Sequence, residues 1–215
     1  MKTEHTNSIV SVFPTSILTS NMNFNEDERG NLLKAVYDIY DNDERGKRKA
    51  SENKKFGYTT FLSKINLNND PRFAKLKDLI GQDLNSYINH INIDCSSQEV
   101  YLSEIWINIQ APGTYVAAHR HHNCIMTSVY YLQVGDGAGE LIFIDAKESH
   151  YMILPEYSKE TKYNAISVKI TPREGLNIMF PSWLMHEVAH NLSNKDRIII
   201  GFNYKIRKAA KLKDK

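Results

Sequence analysis

The chain has 215 residues, 41% of them hydrophobic and 24% charged, which is the balance of an ordinary globular protein with a sizeable core. Its formal net charge of +2 is too small to argue for nucleic acid as a partner. No run approaches the roughly 18 apolar residues of a membrane span. The first residues lack a signal peptide's apolar stretch, and Cys95 and Cys124 have no paired spacing, so a reduced, cytoplasmic protein is expected.

No internal repeat or low-complexity linker divides the sequence, and one domain over residues 1–215 is the simplest reading. Residues 1–95 are polar and lean towards helix. Within them, 10–14 read as a short strand. Residues 25–40 read as an amphipathic helix, with Leu32, Leu33, Val36, Ile39 and Tyr40 on one side and acids near its start. The charge-dense stretch 41–55 reads as a solvated loop, with a lid over a site as the sharper alternative. After Pro71, Phe73, Leu76, Ile80, Leu84, Tyr87 and Ile91 recur at helical spacing and predict a second helix.

From Val100 the texture changes to short β-branched and aromatic runs separated by turn residues. Strands are predicted at 101–110, 116–121, 127–134, 140–144, 165–170, 176–180, 186–190 and 197–206. The breaks between them are chemically reasonable: Ala-Pro-Gly-Thr, Gly-Asp-Gly-Ala-Gly and Thr-Pro-Arg-Glu-Gly. About eight strands with long-range pairing point to a mainly β fold with flanking helices, a jelly roll over 100–206 buttressed by 1–95. The Lys-rich end, 207–215, reads as a frayed, solvated tail.

The chemistry concentrates in the β-rich half. In a strand, residues i and i+2 share a face, so His119 and His121 project together and His122 projects away. His186, after an apolar run and the turn Phe180-Pro-Ser182, offers a third imidazole from a distant strand. Two neighbouring ligands and one distant ligand make the facial arrangement that leaves iron(II) with open positions. Arg197 stands among Ile198, Ile199 and Ile200, where a guanidinium needs an anion. Either an internal acid supplies it or the arginine clamps the carboxylate of a small cosubstrate. Parity places Arg197, Ile199, Gly201 and Asn203 on one face and Trp106, Asn108 and Gln110 on another. If both faces line the cavity, Asn108, Gln110 and Asn203 are polar contacts of a cosubstrate. Trp106 is equally well explained by core packing. Of the adjacent Tyr130 and Tyr131 one faces the cavity, and alternation alone does not say which.

These residues carry a resemblance. Asn108-Ile-Gln-Ala-Pro-Gly113 followed by His119-Arg-His121 is similar to the approach to the metal site in 2-oxoglutarate/Fe(II)-dependent oxygenases. The run His119 to Tyr131 resembles more specifically a family of uncharacterised members, as do Gly139-Glu-Leu-Ile-Phe-Ile-Asp145, Phe180-Pro-Ser-Trp-Leu-Met-His186 and Arg197-Ile-Ile-Ile-Gly-Phe-Asn203. The likeness extends upstream through Val12-Phe-Pro14 and Gly57-Tyr-Thr-Thr60. It implies a double-stranded β-helix (a jelly-roll core), Fe(II) on His119, His121 and His186, and 2-oxoglutarate as cosubstrate with Arg197 on its far carboxylate. Dioxygen would be the oxidant, and the substrate a small molecule or a protein side chain. Two positions depart from the wider superfamily: His121 stands where most members have an acid, and Ile199 where many have a serine beside the arginine. Two rivals follow: a three-histidine, cupin-like metal dioxygenase that needs no 2-oxoglutarate, and a non-enzymatic jelly-roll binding module. Substrate specificity is expected in the loops 41–55 and 147–162, and the oligomeric state is left open, a homodimer included.

Overall fold

The computed structural model describes residues 6–63, 65–147, 153 and 155–209. In chain order the elements are β1 (Leu18–Asn21), α1 (Glu26–Asn42), α2 (Glu44–Glu52), β2 (Tyr58–Thr59), α3 (Ala74–His90), β3 (Gln98–Gln110), β4 (Val116–His119), β5 (Met126–Gln133), β6 (Leu141–Ile144), β7 (Ser167–Ile170), β8 (Leu176–Pro181), β9 (His186–Val188) and β10 (Arg197–Lys208). The strands form two antiparallel sheets. One has the order β1-β8-β5-β10-β3-β2, the other β4-β9-β6-β7. From β3 to β10, strands consecutive in sequence alternate between the sheets except at β6 and β7, which pair with each other in the smaller one, and this closes the two sheets into the expected jelly roll.

The first two helices begin where a side chain can accept from their free N–H groups. Asn25 caps α1 in a reciprocal box with Glu28, and Glu26, Asp27 and Glu28 favour the positive end of the helix dipole. Val36 on α1 and Leu76 and Ile80 on α3 are fully buried against Ile107, Leu132, Ile198, Ile200 and Phe202 of the larger sheet. The opposite face of that sheet, with Trp106, Tyr131, Ile178, Phe180 and Ile199, meets Leu141 and Phe143 of the smaller sheet. Strand β10 is therefore covered on both sides. This accounts for the unbroken Ile198-Ile199-Ile200 run, which alternation alone would not produce.

Three expectations are corrected. Residues 10–14 form no strand; the pairing strand is β1, with Leu18 opposite Met179 on β8. Most of 41–55 is the helix α2 rather than a loop. Asp43 accounts for both its start and its position. One carboxylate oxygen accepts from Gly46 N at 2.9 Å, and the other accepts from the Tyr58 hydroxyl at 3.0 Å. Tyr58 begins β2, which pairs with β3 at Ile109, so α2 is tied to the sheet rather than poised as a lid. At the other end β10 continues through Arg207 and Lys208, where the tail was expected to fray. The Arg207–Glu99 ion pair supports this extension. The rest of the expected tail, from residue 210, lies outside the described residues. So do 148–152 and 154 of the expected specificity loop.

Candidate metal centre and anion cradle

Strand β4 ends at His119, and its Cα partner on β9 is His186. His121 lies just past the strand end, yet it is held in line because its N–H donates to Ser182 O at 3.0 Å. The three imidazoles converge. Ring centroids are 4.3 Å apart for His119 and His186, and 5.2 Å for each pair that includes His121. One potential ligand atom from each lies within 4.8 Å of the others, and no acid joins the group among the described residues. His122, on the other side of the chain, is exposed.

Second partners orient two of the rings. Nδ1 of His119 lies 2.9 Å from Ala117 O, and Nδ1 of His186 lies 2.9 Å from Leu184 O. A carbonyl oxygen can only accept, so both Nδ1 atoms carry the proton and both Nε2 lone pairs are free for a metal. Burial pushes all three imidazoles below their ordinary value; neighbouring rings add to the effect at His121, which falls to about 3, and His119 adds to it at His186, which falls to about 4. At neutral pH they are uncharged, as ligation requires. Trp106 covers the outer side of His121, its ring centroid 5.3 Å away.

A cavity of about 60 Å³ runs from the triad to Arg197, walled by Trp106, Asn108, Gln110, Tyr131 and Ile199. Arg197 is fully buried. Its Nε donates to Gln110 Oε1 at 2.9 Å, and its Nη1 donates to the carbonyl oxygens of Ala138, Ala189 (3.1 Å) and Gly139 (3.3 Å). Its Nη2 has no partner, and neither do Gln110 Nε2 and Asn108 Oδ1. An internal acid is thus not what Arg197 was waiting for: its charge faces carbonyls, one amide and the Tyr131 phenol. Buried polar groups without partners are costly, and three around one cavity fit a polar ligand between them. The donor set suits the implied group at both ends, with neutral imidazoles for a divalent metal and a guanidinium for a carboxylate.

The structure sorts the candidates. His119, His121, His186, Arg197, Asn108 and Gln110 share one cavity. Trp106 both lines it and packs in the core. Of the tyrosines, Tyr131 faces the cavity, while Tyr130 packs towards Phe24. Asn203 is buried but outside the lining. Its Oδ1 accepts from Thr127 Oγ1 at 2.9 Å, and Thr127 Oγ1 meets Ser182 Oγ at 3.0 Å. The Trp106 ring lies over Gly201 and closes the cavity before Asn203 is reached. Reasoning by parity missed Val116. A register irregularity between Val116 and His119 breaks the alternation and turns Val116 inward, beside Leu141 and Val188. Nothing in the local sequence marks that irregularity.

Residues 104–203 match the profile of a family described as "Putative 2OG-Fe(II) oxygenase", a span that contains every residue of this site. That family uses Fe(II), 2-oxoglutarate and dioxygen. No curated protein matches the chain in sequence. Solved structures of similar fold include a viral collagen prolyl hydroxylase from Paramecium Bursaria Chlorella virus-1 in complex with 2-oxoglutarate. It is 15% identical, with TM-score 0.55, over 90% of this chain and 96% of that one. HygX from Streptomyces hygroscopicus, with nickel and 2-oxoglutarate bound, is 14% identical, with TM-score 0.55, over 89% and 82%. A prolyl hydroxylase from Trichoplax adhaerens, in complex with a hypoxia inducible factor peptide fragment, is 17% identical, with TM-score 0.55, over 88% and 83%. At these identities the likeness is one of fold. No helix among the described residues is long and apolar enough to cross a membrane.

Proposed function

We propose that this chain is an oxidoreductase of the 2OG-Fe(II) oxygenase type, a hydroxylase that holds iron(II) on His119, His121 and His186 and anchors 2-oxoglutarate on Arg197. The observation that carries the reading is the pairing of two features across one cavity. Three uncharged imidazoles converge at one end, and a buried guanidinium with an unpartnered nitrogen stands at the other. Iron(II), when bound with 2-oxoglutarate and dioxygen, supplies oxidative decarboxylation to succinate and carbon dioxide, coupled to oxygen insertion into a substrate C–H bond.

The chain's own residues bind, orient and exclude water. Ala117 O and Leu184 O fix the tautomers of His119 and His186, so the Nε2 lone pairs point inward without reorganisation. Three neutral imidazoles leave both charges of a divalent metal uncompensated, and Arg197 adds a third. A dianionic cosubstrate spanning the two is therefore favoured over a neutral one, and His121 in place of an acid strengthens that preference. Trp106, Tyr131 and Ile199 keep the cavity between the ends largely apolar, which makes each charge contact stronger than it would be in water.

Fold neighbours were solved with a peptide in one case and with hygromycin B in another. For this chain the substrate is a small molecule or a protein side chain. The deciding experiment is anaerobic titration of the iron(II)-loaded protein with 2-oxoglutarate. A visible charge-transfer band, followed by slow succinate formation in air, is the expected result. Bound iron without such a band would favour the three-histidine dioxygenase that needs no 2-oxoglutarate, a reading to which His121 also lends support. Failure to bind iron at all would favour the binding module.

A further inference from the structure

We infer that Gln110 is the second half of the carboxylate clamp, making from β3 the hydrogen bond that the side chain at position 199 cannot make from β10. This rests on the reading above, that a dicarboxylate lies between Arg197 and the triad.

The register of β10 against β3 sets the geometry. Arg197 pairs with Gln110, Ile199 with Asn108, and Gly201 with Trp106, so the inward side chains form three rungs. The Trp106 rung abuts His121, and the Arg197 rung is the far one. At about 3.3–3.4 Å per residue, four residues of β10 place the two ends about 13 Å apart along the strand. Ile199, on the middle rung, is an apolar group nearly fully enclosed. It can fill space beside a ligand but cannot donate to one.

Gln110 can, and its orientation is not free. Its Oε1 accepts from Arg197 Nε at 2.9 Å. Flipping the amide would set an NH₂ group against that N–H, two donors facing each other, so Nε2 is committed to the other side. There it has no partner, and the side chain is only 2% exposed. Arg197 Nη2, on the group that holds the amide in place, is likewise buried and unpartnered. Two adjacent donors on paired residues, one of them charged, match the two oxygens of a carboxylate. They reject a neutral end group, which would leave the guanidinium uncompensated. Asn108 Oδ1, the third unpartnered atom, sits one rung nearer the triad. Unlike Gln110, nothing pins its amide, which can turn its nitrogen to whatever passes.

The test uses the full chain loaded with Mn(II), titrated calorimetrically without oxygen. The probes are 2-oxoglutarate and succinate, a dicarboxylate lacking the chelating keto acid. Gln110→Glu is the key variant. It keeps the shape and the bond from Arg197 Nε, but it offers Arg197 an internal carboxylate and removes the donor. Binding of both probes should be lost, while Mn(II) affinity and thermal stability stay at or above wild type. Gln110→Met should weaken both probes by at least about tenfold, the worth of one hydrogen bond to a charged group. Adding Ile199→Ser to Gln110→Met should recover part of that loss. Wild-type 2-oxoglutarate affinity in the folded Gln110→Glu protein would overturn this inference and leave the proposed function standing. Mn(II)-loaded wild type that takes up neither probe would overturn both, because no carboxylate would then bind at Arg197.

Discussion

Gly201→Ala is a one-carbon change, yet it should disturb the proposed metal site without touching a proposed ligand. A Cβ built at this position would stand 2.2 Å from both Cε2 and Cζ2 of Trp106 and 2.5 Å from Cη2. Carbon atoms settle at roughly 3.5–4.0 Å, so something must move by more than 1 Å on this scale. The backbone is not free to do so, since β10 is bonded on both sides, to β3 and to β5. The ring must yield, and it has little room. Trp106 is 5% exposed, Phe61 meets it edge-on at 6.1 Å, and His121 lies against it at 5.3 Å. Overpacking of this kind costs about 1–3 kcal/mol. That is roughly 2–4 °C in melting temperature per kcal/mol for a chain of this size. Because the ring presses on His121, Mn(II) affinity should also fall, by about tenfold if half of a 3 kcal/mol strain is relieved by displacing the ligand. Thermal unfolding of the metal-free protein and calorimetric Mn(II) titration measure the two effects. Gly30→Ala is the control: a Cβ there meets nothing within 4 Å on an α-helix, so stability should hold or rise by up to about 1 kcal/mol. Wild-type melting and Mn(II) affinity in Gly201→Ala would refute the claim that Trp106 transmits packing to the triad.

Alanine at His119 or at His186 should abolish tight binding of one divalent metal, since two imidazoles do not make the site; unchanged Mn(II) affinity in both variants would move the site elsewhere. Arg197→Lys should weaken 2-oxoglutarate binding and Arg197→Met should remove it while metal binding survives, because an ammonium cannot reproduce the planar fork. Equal cosubstrate affinity in the three proteins would shift the anchor away from position 197. Neither Arg120, which donates to Trp183 O, nor Arg173, which donates to Asn21, lines the cavity to replace it. The metal-free protein should also lose stability in acid. His121 and His186 titrate far lower folded than the roughly 6.5 of an unfolded chain. The unfolded state therefore binds more protons below that value, and the stability present above it drains away as pH falls towards 4 and 3. Urea midpoints at pH 8 and pH 5 test this. An equal loss in a His121→Gln/His186→Gln protein would show that other groups are responsible.

Much of this protein is determined by local pattern. Apolar residues at helical spacing place α1 and α3, since a helix that hides one stripe must repeat it every three to four residues. Turn residues and β-branched runs place the strands from β3 to β10, and two-residue alternation predicts that His119 and His121 point the same way, although past the end of β4 it is the bond from His121 N to Ser182 O that keeps them so. The same logic picked out Arg197, because a cation amid three isoleucines is unfavourable unless something answers it. The start of α2 also has a local signal: Asp43 is its cap, within a charge-dense stretch that otherwise reads as a loop. Other features depend on which strands become neighbours. That Tyr131 rather than Tyr130 faces the cavity follows from β5 lying beside β10, and alternation fixes only that the two differ. Val116 turns inward through an irregularity in the β4–β9 pairing, and Asn203 is cut off from the cavity by the ring lying over Gly201. The Gln110–Arg197 bond joins residues 87 positions apart and exists because β10 meets β3 in one register. Alternation is set within a strand by the backbone, whereas register and closure are set by the packing of the whole sheet, and the unpartnered atoms around Arg197 become visible only once that packing is in place.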